Sequence, residues 1–86
     1  MSSTQLTAVQ AHDLVTRAIR RIVPDADVTV VSPDADLRLA YELDPLDFLG
    51  FVELLSEDSG ARIDREDYPE LATVAGCVAF LERRTG

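Results

Sequence analysis

The chain has little of what most protein chemistry uses. Its 86 residues include one cysteine, Cys77, and one histidine, His12. A single cysteine excludes an internal disulfide and a thiolate cluster. One Cys and one His cannot furnish a conventional metal-ligand set, so no metal site is expected. Nor can they be assembled into a nucleophile with a paired base, and no glycine-rich loop is present to cradle phosphate, so no catalytic residues are assigned and an enzyme is not expected. His12 reads as a solvated helix residue and Cys77 as a small buried hydrophobe. No apolar run approaches the ~20 residues that span a bilayer. The opening Met1-Ser2-Ser3-Thr4-Gln5 lacks the basic region and apolar stretch of a secretory signal. A cytoplasmic protein with no membrane partner is the expectation.

Lysine is absent as well, and all eight basic residues are arginine, against sixteen acids, for a net charge of −8. The charge is uneven. Residues 1–23 carry Arg17, Arg20 and Arg21 against Asp13, whereas residues 24–72 hold fourteen acids against Arg38, Arg62 and Arg65. An acidic middle repels nucleic-acid phosphates and attracts basic protein surfaces, so no nucleic-acid partner is expected. The charge would permit a nucleic-acid mimic, but no motif supports one. With 47% hydrophobic and 28% charged residues the composition is that of a globular chain, and its length allows a single domain, residues 1–86, expected to be monomeric.

Hydrophobic periodicity then places the elements. Ala11, Leu14, Val15, Ala18, Ile19 and Ile22 recur on one helical face, which predicts a first and longest helix from Thr4 to Val23, ended by Pro24. Residues 24–43 read as a long structured loop. Its run Val28-Thr29-Val30-Val31 has no second strand to pair with, and some of Leu37, Leu39 and Leu43 are expected to turn back into the core. Asp44 is an N-cap, Pro45 fits the first helical position, and Asp47 completes a capping-box-like pair; the helix they open runs to about Asp58 and stops at Gly60. It is apolar nearly all round (Leu46, Phe48, Leu49, Phe51, Val52, Leu54, Leu55), so part of it should face a partner, with Phe51 read as a contact. Asp64-Arg65-Glu66-Asp67 is a further cap pattern, and Pro69 leaves room for only a short helical segment. Thr73 caps a last helix to about Arg83, in which Gly76 marks a close approach to another helix.

These local sequences resemble an acyl carrier protein over about residues 10–82: Asp36-Leu37-Arg38, then Leu43-Asp44-Pro45-Leu46-Asp47-Phe48-Leu49, Val52-Glu53-Leu54-Leu55, Gly60, Ile63-Asp64, Asp67 and Leu71-Ala72-Thr73-Val74. The resemblance implies an all-α four-helix bundle with three main helices, one short helix and a long loop after the first. It also implies a serine, at the position of Pro45, that receives 4′-phosphopantetheine. A proline ring offers no oxygen to attack coenzyme A, so no cofactor is expected here. Asp58-Ser59-Gly60 lies at a helix end and is a poor substitute. The function implied is an acidic binding module that docks to enzymes of fatty-acid, polyketide or peptide biosynthesis through their basic surfaces. The expected partner-binding residues are Asp44, Pro45, Leu46, Asp47, Phe51, Glu53, Leu54 and Glu57. The alternative is a working acyl or aminoacyl carrier, bearing phosphopantetheine, whose serine has been replaced or bypassed. Gly50, where fatty-acid carriers usually have an acid, and Leu54, where a small residue is frequent, imply an altered docking surface.

Overall fold

The structure, a computed structural model, describes residues 6–27 and 32–84, so the Val28–Val31 run lies outside the described part. Helix α1 spans Ala8–Ile22 and starts later than its apolar periodicity predicts. Thr7 is the reason: its hydroxyl accepts the Gln10 N–H at 3.1 Å while the Gln10 side-chain oxygen accepts the Thr7 N–H at 3.0 Å. This reciprocal pair fixes the first turn. Arg20 and Arg21 occupy the last turn, where cations complement the carbonyl end of the helix dipole. Its buried face is Ala11, Leu14, Val15, Ala18 and Ile19, and His12 is exposed.

The segment read as continuous loop contains a one-turn helix, α2, at Leu37–Ala40. The Asp36 carboxylate nucleates it by accepting the N–H groups of Arg38 at 2.8 Å and Leu39 at 3.4 Å. Leu37 and Leu43 return to the core, while Leu39 stays 80% exposed. Helix α3 follows at Pro45–Ser59 and ends at Gly60 in the left-handed conformation, φ 75°, which glycine adopts without a Cβ penalty. A 3₁₀ helix at Arg65–Ala72 comes next, longer than the short segment expected. Pro69 has no N–H for the α-helical bond to residue 65, and the tighter winding continues through it. Helix α4, Val74–Arg84, completes the chain.

The described residues are thus helical with no strands; Asp36 and Thr73 form an isolated antiparallel bridge. Helix α1 packs on both α3 and α4, and the 3₁₀ helix packs on α4. Between them lies one apolar core in which Phe51, Phe80, Ile19, Leu37, Leu55, Leu71 and Leu81 are the largest fully buried side chains. Removing their apolar surface from water, at roughly 25 cal/mol per Å², is what chiefly holds such a bundle together.

Gly76 bears out the close approach inferred from its place in a helix. A Cβ built there would lie 2.0 Å from the backbone oxygen of Glu70. Thr73 caps the helix as expected, its hydroxyl accepting the Gly76 N–H at 2.9 Å. The 3₁₀ helix is further tied to α4 by Arg83 to Glu70 and by Arg84 to Asp67 at 3.0 Å. Asp67 is the one buried charged residue among those described. Its carboxylate is satisfied twice, since it also accepts the Asp64 N–H at 2.9 Å, and such pairing offsets the desolvation of a buried charge.

Candidate functional site

The first turn of α3 is built as its sequence predicts. The Asp44 carboxylate accepts the Asp47 N–H at 2.7 Å, and the Asp47 carboxylate accepts the Asp44 N–H at 3.4 Å. Pro45 sits in that first turn, where its missing N–H leaves no bond unmade. Asp44, Pro45 and Leu46 are exposed and Asp47 is half-buried.

Beyond this turn the helix divides into two sides. Phe48, Phe51, Val52 and Leu55 form the buried side. At 3.6 residues per turn, positions 46, 49, 53 and 57 share the opposite strip. Leu46 is 75% and Leu49 40% exposed, and Glu53 and Glu57 are exposed beside them. Glu53, Glu57 and Asp58 make no ion pair among the described residues. The strip therefore combines an open apolar surface with uncompensated carboxylates.

Two of the eight expected contact residues need correction. Phe51 is fully buried, its ring tilted against Phe48 with centroids 6.0 Å apart, so it belongs to the core and cannot reach a partner. Leu54 is half-buried and packs against the core, which makes it at most a flank of the exposed strip. Leu49, not counted among the contact residues, takes the place that Phe51 was given. Gly50 also has a packing reason, for a Cβ there would come 3.2 Å from the Ile22 Cδ1 of α1. An acidic side chain at 50 would have to displace that contact.

A second feature, invisible in the linear sequence, borders the same turn. Arg38 of α2, Pro45 and Phe48 of α3, and Arg65, Tyr68 and Pro69 of the 3₁₀ helix line an open cleft of about 470 Å³. The Arg38 guanidinium lies 5.1 Å from the Phe48 ring centroid, within cation–π range. Phe48 in turn meets Tyr68 edge to face at 5.7 Å.

Other candidate groups are engaged elsewhere. The Ser59 hydroxyl donates to the Leu55 carbonyl at 2.6 Å and accepts the Ala61 N–H at 3.1 Å, so it serves the end of α3. The Tyr41 hydroxyl is buried with no hydrogen-bond partner among the described residues. Its pKa is raised, by burial first and by the Asp27 carboxylate second. Among the described residues no three His, Cys, Asp or Glu side chains converge to hold a metal ion. No described helix is long and apolar enough to cross a membrane.

Cys77 is fully buried, its sulfur 3.4 Å from the Leu71 carbonyl, and burial pushes its thiol from 9.0 up to about 12. Only thiolate is a competent nucleophile, so a thiol-reactive disulfide reagent at about pH 8 should leave the native protein unlabelled and react stoichiometrically in denaturant. Fast labelling of folded protein would contradict this packing. The raised pKa also gives a sign: the neutral thiol's contribution to stability is intact below pH 9.0 and is lost as pH rises toward about 12.

Comparison of the chain with models of protein families, with curated proteins and with solved structures returned no match.

Proposed function

We propose that the protein is a carrier-like docking module: an acyl-carrier-type bundle that engages enzymes recognising acyl or peptidyl carriers and bears no covalent arm of its own. The observation that carries this reading is the first turn of α3. A reciprocal Asp44–Asp47 cap is retained around Pro45, and the next residue, Leu46, is 75% exposed on a strip that also carries Glu53 and Glu57. An apolar anchor surrounded by acids suits a basic partner surface, where desolvation of the anchor supplies affinity and the charges speed encounter.

Attachment of phosphopantetheine needs a hydroxyl oxygen to attack the pyrophosphate of coenzyme A, with 3′,5′-ADP as the leaving group. Residue 45 has none. The proline keeps the helix start in place while removing the nucleophile.

Intact-mass analysis after incubation with a broad-specificity phosphopantetheinyl transferase and coenzyme A tests both halves of the reading. The natural chain should keep its mass, and Pro45→Ser should gain one phosphopantetheine group. If Pro45→Ser stayed unmodified the carrier-type reading would fail, and if the natural chain were modified the absence of an arm would.

A further inference from the structure

We infer that the cleft between α2, the start of α3 and the 3₁₀ helix is a binding site for a small free organic anion, a carboxylate or phosphate group borne on a flat apolar body. The site is separate from the Leu46–Glu57 strip and does not depend on whether the chain can be modified at residue 45.

Ion pairing and position together single the cleft out, since Arg20 and Arg21 also make no ion pair among the described residues but lie outside it. Arg17, Arg62, Arg83 and Arg84 each pair with a carboxylate, and Arg20 and Arg21 end α1. Arg38 and Arg65 stand in the most acidic part of the chain, exposed, with no ion pair among the described residues. Both line the same concavity. Several of the carboxylates closest in sequence to its walls are already in use, whereas Glu42 and Glu66 are exposed with no ion pair among the described residues. Asp36 accepts from the α2 amides, Asp44 and Asp47 cap α3, and Asp67 takes the Arg84 guanidinium. Two arginines in this setting lack a counter-ion, and guanidinium forks match the oxygens of carboxylate and phosphate.

The remaining walls set the rest of the ligand. The exposed Pro45 and Pro69 and the half-buried Tyr68 present rings beside the buried Phe48, suited to a flat apolar group. The volume of about 470 Å³ falls within the range of small-molecule sites, roughly 300–1,000 Å³. The net charge of −8 opposes anions at long range, but at physiological ionic strength charges beyond about 8 Å are largely screened, and the two nearby guanidiniums dominate.

Amide-resolved NMR titration of the full chain at about 0.15 M salt is the test, with phenyl phosphate and benzoate as probes and inorganic phosphate and benzyl alcohol as comparators. Saturable shifts with at least one of the two aromatic anions, centred on Arg38, Phe48, Arg65 and Tyr68, are expected. Each of Arg38→Gln and Arg65→Gln should weaken that binding about tenfold. Both side chains are exposed, so the spectra away from the cleft should superimpose on the parent's. Arg20→Gln, outside the cleft, should bind as the parent does. The inference is overturned if neither probe saturates, if the Arg38 and Arg65 variants bind unchanged, if Arg20→Gln weakens binding equally, or if inorganic phosphate or benzyl alcohol binds as tightly as the aromatic anions.

Discussion

Gly76→Ala is expected to destabilise the protein by about 2 to 3 kcal/mol, the scale of an overpacked contact that the backbone must yield to. Helix propensity alone gives the opposite sign, since alanine is favoured over glycine by about 1 kcal/mol in a helix interior. Packing decides here. A Cβ at 76 would sit 2.0 Å from the Glu70 oxygen and 3.2 Å from its carbonyl carbon, so the neighbour that has to move is main chain. That main chain is held: Glu70 belongs to the 3₁₀ helix and its side chain is paired with Arg83. For a chain of this length the loss corresponds to a fall in Tm of about 10 °C or more. Urea unfolding followed by far-UV circular dichroism reads it directly, and an unchanged or raised midpoint would show that the two helices can part without cost.

Phe51→Ala should have a larger effect, about 3 to 5 kcal/mol, because it empties a fully enclosed aromatic site. Against the roughly 5 to 15 kcal/mol typical of whole domains, that leaves little or no folded population in mild denaturant. Leu46→Ser on the same helix should change stability by about 0.5 kcal/mol or less, since its side chain is 75% exposed. The pair of variants separates core from surface on α3. If Phe51→Ala unfolded at the parent's urea midpoint, the assignment of Phe51 to the core would be wrong. A destabilised Leu46→Ser would show that Leu46 packs internally.

The contrast between those two residues also shows what could be read from the chain and what could not. Helix α1 was legible because its apolar residues fall on a single face, and one face has one way to be buried. Both ends of α3 were legible because Asp44, Pro45 and Gly60 act within a turn of their own position. The same locality disclosed Thr73 as a cap and Gly76 as a close contact. The inner side of α3 was not legible. Its apolar residues surround the axis, so sequence periodicity does not distinguish Phe51 from Leu49, and only the packing of α3 into the core, against α1 above all, does. Helix α2 was missed for a related reason. A four-residue helix has almost no propensity of its own, although Asp36 ahead of Leu37 was a usable cap signal. The cleft had no local signature at all, since its two arginines are brought together from either side of α3.

The isolated bridge between Asp36 and Thr73 bears on that meeting. Together with the bond from the Ala75 N–H to the Pro33 carbonyl at 3.0 Å, it fastens the approach to α2 onto the start of α4. The 3₁₀ helix is fastened to the same helix by Glu70 and Asp67. Helix α4 supplies no lining residue to the cleft, yet the segment bearing Arg38 and the segment bearing Arg65 are both moored to it. The spacing of the two arginine-bearing segments is therefore set by a helix that forms none of the cleft's wall.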